Sequence, residues 1–407
     1  MTALTGHVSV KLNIGLPGRE TSMGNRIFGL LFFSSVLNAC GSAGSFHPDS
    51  TETPIPAESP SSSDARVSLK GTALKFDDES LKFTYVASVD APLAPNSKNP
   101  LQATAFDFSN DRAFVVYNMA GSEIVGAVEM LNLDSWKSPR LIGGLLFKDA
   151  EFSDVKVKDN YAFAVGVESG EHEGAVLKVI RGSSDEKPVL VASLPLDGFV
   201  ATSIQVQDGR AFVAVGDNAG IYEISIKDPE NPEVLRVWKL PQAKFAIPFE
   251  TEFLALGGDE STDLWAPFMR ESLESIQSIS KNIDEAPGRM AIHDDYLYTN
   301  AGQLGLHIYD LKHWEKKGVQ ELSSLELKGT GNGIDVCSNL AFLAQGEAGS
   351  AVYSVKNPKK PEALGYFDFP DDRGSANNIR HGKVKNENFL MIADGAGGFR
   401  IVHFVLP

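Results

Sequence analysis

Seven copies of one short pattern, 41 to 49 residues apart, constrain this chain of 407 residues more than any other feature. The clearest copy runs from Arg210 to Pro232. It holds an apolar strand (RAFVAVG), a tight turn with Asp217 and Gly220, a second strand (IYEISI) and the connector DPENP. The other copies open at Asp111, Asn160, Glu250, Asp295, Asn339 and Asn388. Phe114, Phe163, Phe212, Phe253, Leu297, Phe342 and Leu390 take equivalent places, at spacings of 49, 49, 41, 44, 45 and 48 residues. Repeats of ~40–50 residues made only of short strands and turns predict an all-β fold, a seven-bladed β-propeller of four-stranded blades.

The residue types within each copy agree with that geometry. A blade packs on a neighbour at both faces, so its inner strands should be almost wholly apolar, as YAFAVG and AFLAQG are. The next strands (LHIYDL, FRIVHF) are β-branched and aromatic. The proline pairs in DPENP and NPKKP end a strand and turn the chain where no hydrogen-bond donor is needed. The segment 244–283 departs most: it lacks the Asp-Pro connector and carries Pro267 in a strand. The last copy stops after a third strand, Phe399 to Val405, while an orphan strand, Leu81 to Asp90, precedes the first copy. The N-terminal strand is therefore expected to complete the last blade, which removes sheet edges and ties the two ends of the ring together.

The N-terminal region has a different character. Met23-Gly-Asn-Arg26 is followed by the apolar run IFGLLFFSSV and then Leu37-Asn38-Ala39-Cys40. The run is shorter than the ~20 residues of a spanning helix and has the length of a signal-peptide core. Leu37–Cys40 resembles the lipobox of bacterial lipoproteins. That resemblance implies lipidation of Cys40, removal of residues 1–39 and anchorage of the mature chain to a membrane, with outer-membrane sorting because no Asp follows the cysteine. Translation is expected to start at Met23. Residues 40–66, rich in Ser, Pro, Glu and Thr, are expected to form a disordered tether; residues 67–407 are expected to form the propeller. With Cys40 lipidated, Cys337 has no disulfide partner and reads as a small buried hydrophobe.

The repeat resembles the LVIVD-repeat propellers of bacterial and archaeal extracytoplasmic proteins, on the segments YAFAVG, AGIYEISIKDPENP, GSAVYSVKNPKKP and IADGAGGFRIVHF. The resemblance spans roughly residues 81–407. It implies an exported interaction module of the cell envelope and transfers no catalytic motif.

Composition and motifs narrow the function further. The net charge of −16 and the lack of a basic stripe exclude a nucleic-acid partner. No nucleophile elbow, P-loop or dinucleotide motif is present, and His172-Glu173 lacks the second histidine of a zinc-protease helix. Candidate binding residues fall into two sets. Asp217, Asp259, Glu347 and Asp394 recur in the turns between second and third strands, where they form local turn bonds or ring one face. Asp154, Ser203, Asn332, Asn377, Asn378 and His381 lie near the starts of innermost strands, at the channel mouth. By fold analogy those oxygens suit calcium, giving an alternative reading as a calcium-dependent hydrolase. Segments 119–129 and 167–176 lengthen two neighbouring turns on the same rim. The favoured reading is a monomeric module with no cofactor that binds a protein or glycan partner.

Overall fold

A computed structural model describes residues 55–57 and 64–406, apart from 79, 96, 184–185, 259–260, 269–271, 282–287, 315–317, 370–373 and 385. The lipobox, Cys40 and the signal segment lie outside the described residues. The chain forms seven antiparallel sheets in a ring. Six of them are blades 1 to 6, whose innermost strands are Gln102–Ser109, Ala150–Lys158, Ala201–Gln207, Phe245–Phe249, Gly288–His293 and Gly333–Cys337. Blade 7 begins with Asn378–Val384. The departing segment 244–283 is a complete four-stranded blade, with Pro267 near the end of its third strand.

The repeat positions coincide in space. The seven equivalent Phe and Leu residues sit on second strands and are all buried. They pair with Asp107, Lys156, Gln205, Pro248, Ile292, Asp335 and His381 of the innermost strands. The turn between first and second strands holds a left-handed residue in every blade: Asn110, Asp159, Asp208, Glu250, Asp294, Asn339 and Asn386. Asn and Asp dominate because they tolerate that conformation best among residues with a side chain. The connectors on the same rim are Asx turns. Asp228 Oδ1 accepts the Glu230 N–H at 3.2 Å, and Asn357 Oδ1 accepts the Lys359 N–H at 3.2 Å.

Closure follows the expected route. Strand Lys82–Val89 pairs antiparallel with Phe399–Val405 as the fourth strand of blade 7. All seven blades carry a bulge between third and fourth strands, and in blade 7 it falls between Tyr85 and Ala87 of the N-terminal strand. A bulge shifts the side-chain alternation by one. Phe83 and Tyr85 accordingly pack in the seam with blade 6, where Phe83 stacks on Phe367 at 5.4 Å, whereas Ala87 and Val89 pack toward blade 1. Arg400, 1% exposed, donates to the Tyr85 hydroxyl at 2.5 Å and to Asp394 Oδ2 at 3.2 Å.

Two sheets exceed four strands. Val67–Leu74 adds a fifth strand outside Lys82–Val89, and Ile55–Ala57 pairs with Leu146, Leu145 and Gly144 of blade 1. The segment expected to be all tether thus contributes a short strand to the body, and Arg66 contacts buried Glu129 and donates to the Asp90 carbonyl at 2.9 Å. Composition alone hid this because strand pairing on an exposed edge uses backbone groups, not an apolar side-chain pattern.

Candidate functional site

The ring offers two places for chemistry: the central channel and the rim formed by second-to-third-strand turns and blade-to-blade loops. Backbone bridges place these two kinds of segment side by side, at Gly302–Gly331, Gly346–Ala376 and Ala103–Gly395.

In the channel, aspartates stitch blade to blade. Asp107 Oδ2 accepts the Val157 N–H of the next blade at 2.7 Å; Asp154 Oδ2 accepts the Ile204 N–H at 3.1 Å; Asp335 Oδ2 accepts the His381 N–H at 2.6 Å. Innermost strands are sheet edges, so these carboxylates satisfy backbone donors that no neighbouring strand reaches. Two arginines neutralise two of the three acids. Arg289 of blade 5 crosses to Asp154 of blade 2, Nη1 to Oδ2 at 2.5 Å, and Arg380 contacts Asp107. The other charged residues bordering the channel cavity are Lys156, Asp335, Lys158 and Asp208. A cavity of about 530 Å³ runs along the channel, lined by these groups together with Val157, Val206, Phe245, Ile247, Met290 and Ile334. Burial pushes the Asp335 carboxyl up to about 6 and lowers the Lys156 ammonium below its ordinary value; Asp154 and Asp335 oppose the latter effect and Arg289 adds to it.

The residues singled out from sequence have varied surroundings. Asp154 is wholly buried, with its oxygens on Arg289 and on the Val155 and Ile204 N–H groups. Ser203 is buried beside it in blade 3. Asn332 and Asn377 form an amide relay across three blades: Asn332 Nδ2 lies 3.3 Å from Asn377 Oδ1, and Asn377 Nδ2 donates to the Ala103 carbonyl of blade 1 at 2.9 Å. Asn300 extends this pattern, donating to the Gly333 carbonyl at 2.7 Å; its place in a second strand hid it from sequence. Asn378 is buried and borders the cavity. His381 is half-buried between Phe342 and Phe404, and burial holds its imidazole below the ordinary histidine range. Among the described residues, no group of three or more His, Cys, Asp or Glu side chains is placed to hold a metal ion. The turn acids do not share one position. Asp217 and Glu347 are exposed, Asp394 is buried against Arg400, and Asp259 lies outside the described residues. Half-buried Cys337 is a free cysteine whose thiol burial pushes up.

The rim over blades 1 to 3 has a distinct composition. Its lengthened turns carry Glu123, Glu171 and Glu173, and the neighbouring loops carry Asp197 and Asp217, all exposed. Lys148 is the one exposed lysine in the loop between blades 1 and 2. Phe199, 55% exposed, stands among them. The loop bearing Phe199 is tied to the second long turn, because the Ala175 N–H donates to the Gly198 carbonyl at 2.9 Å. Glu151 lies under the first long turn and accepts the Met119 N–H; burial pushes its carboxyl up to about 7.

A solved β-propeller agrees on the architecture. The chain is similar to the WD40 β-propeller domain of Doa1, at a TM-score of 0.53 and 14% identity, covering 77% of this chain and 96% of that domain. A computationally designed protein, Ika8, is similar over 75% of this chain and 98% of its own, at a TM-score of 0.45 and 14% identity. No protein-family model matches the sequence. No curated protein matches it either. At these identities the likeness concerns the fold.

Proposed function

We propose that the chain is an interaction module of the bacterial cell envelope, anchored through a lipid on Cys40, whose rim over blades 1 to 3 docks a basic protein partner. The observation that carries this reading is the coincidence, on one sector, of both lengthened turns, five exposed carboxylates and exposed Phe199. A single-sign patch steers an oppositely charged partner, and an aromatic among the charges supplies the desolvated anchor on which binding energy concentrates. Loops on a rigid scaffold are the usual carriers of such function. Propellers serve widely as interaction scaffolds, and the resemblance to LVIVD-repeat proteins points the same way. The hydrolase alternative gains nothing from Asp154, whose oxygens are committed to Arg289 and backbone donors.

Cross-linking in the envelope tests the docking face. A partner recovered with the native chain, less efficiently as salt rises, should be lost when Glu123, Glu171, Glu173 and Asp197 are all changed to Lys. Recovery of the same partner at equal yield by that variant would refute the assignment of the rim. Separately, Cys40→Ser should leave the membrane fraction; continued membrane association at the mature mass would remove the anchor from the reading.

A further inference from the structure

The channel contains two opposite charges, Lys156 and Asp335, that attract each other across the cavity but form no direct ion pair. Lys156 Nζ has no hydrogen-bond acceptor and no carboxylate within salt-bridge distance among the described residues, although it borders the cavity. Asp335 accepts only backbone N–H groups, from Val336 at 3.0 Å and His381 at 2.6 Å, and has no ion-paired cation. The two residues hold the same register position, each opposite the equivalent Phe of its own second strand (Phe163 and Phe342), in blades 2 and 6. They therefore stand at one level of the channel, on different sides of it. The other charges at that depth are already paired, Asp154 with Arg289 and Asp107 with Arg380. Around these groups the wall is mixed: Val206, Ile247 and Ile334 alternate with the polar Gln205, Gln207 and Asn378.

Fixed charges in a partly desolvated space are costly unless something compensates them. A cavity of about 530 Å³ falls in the size range of small-molecule sites, and its polar wall suits a ligand held by charge and hydrogen bonding. We propose that the channel binds a small zwitterion, an amino-acid-like ligand whose carboxylate pairs with Lys156 and whose ammonium pairs with Asp335. A monoanion would answer only Lys156 and would meet Asp335 across the cavity; a monocation would have the converse fault. Displacement of both shifted protonation equilibria toward their charged forms would accompany binding. This site is separate from the acidic rim, so it stands or falls independently of the docking reading.

The test is calorimetric titration of the full chain at pH 7.5 with a series of unbranched ω-amino acids from 4-aminobutanoate to 8-aminooctanoate. Hexanoate and hexylamine serve as single-charge comparators. The best zwitterion should bind at least tenfold more tightly than either comparator. Lys156→Met and Asp335→Asn should each weaken it at least tenfold, and Lys156→Arg should retain binding within about threefold. Thermal melts of each variant show whether it is folded, and Lys156→Arg keeps the test valid if Lys156→Met is not. Equal affinity for hexanoate or hexylamine, native-like binding by both charge-removing variants, or no binding by any member of the series would overturn the proposal.

Discussion

Changing Lys178 to Met should destabilise the protein far more than an average surface substitution, and a second change should reverse the loss. Lys178 Nζ meets Glu168 Oε2 at 2.7 Å, with side chains only 3% and 7% exposed, and also reaches Ser193 Oγ at 3.1 Å. Glu168 is the last residue of its strand and directly precedes the turn that carries Glu171 and Glu173. Methionine removes the ammonium and leaves the carboxylate buried without it, a change that costs about 3–5 kcal/mol. With an unfolding entropy of roughly 2.1 cal/mol/K per residue over about 320 described residues, the midpoint should fall by about 4–7 °C. Adding Glu168→Gln removes the stranded charge and should return the double variant to within about 2 kcal/mol of the native chain. Circular dichroism melts of the four proteins in the cycle give the numbers. A single variant within 1 °C of native, or a double variant no more stable than the single one, would refute the argument from buried charge.

Three further outcomes follow from the same structure. Asn377→Ala should cost about 1–3 kcal/mol in a denaturant melt, since it breaks the amide relay to Ala103 and Asn332; an unchanged midpoint would show the relay to be idle. Glu151 titrates near 7 in the fold, above its unfolded value, so its neutral form is favoured on folding and stability drains as pH rises through roughly 4.5 to 7. Glu151→Gln keeps an acceptor for the Met119 N–H without that loss, so its midpoint advantage over the native chain should widen between pH 5 and pH 8; a constant gap would contradict the shift. A chain starting at residue 64 should melt cooperatively near the native midpoint, whereas one starting at 92 loses both N-terminal strands, uncovers Phe404 and Phe367, and should lose its cooperative transition.

Much of the fold was legible because propeller blades are local. A blade is one short run of chain, so strand alternation, turn residues and the spacing of Phe114 to Leu390 report it directly. The missing fourth strand and the orphan strand at residues 81–90 revealed closure by simple complementarity. The site was less legible. Asp154 was singled out as a channel-mouth oxygen ligand, yet its partner is Arg289, 135 positions later in the chain and across the ring. The turn acids resembled one another in sequence, but a difference of one or two turn residues buries Asp394 beneath Arg400 and leaves Asp217 in solvent.

The amino-acid sequence by itself determined the number of blades, their strand order and the route of closure, because each depends on patterns repeated within about 50 residues. Tertiary structure alone decided which charges cancel and which do not. Lys156 and Asp335 are ordinary charged residues in their own strands, and nothing within either blade marks them as unpartnered. They become so only when the ring brings blades 2 and 6 around one channel while Arg289 and Arg380 are drawn to Asp154 and Asp107. Electrostatic pairing depends on distance through space in a medium from which water is partly excluded, and that distance exists only after the ring has closed.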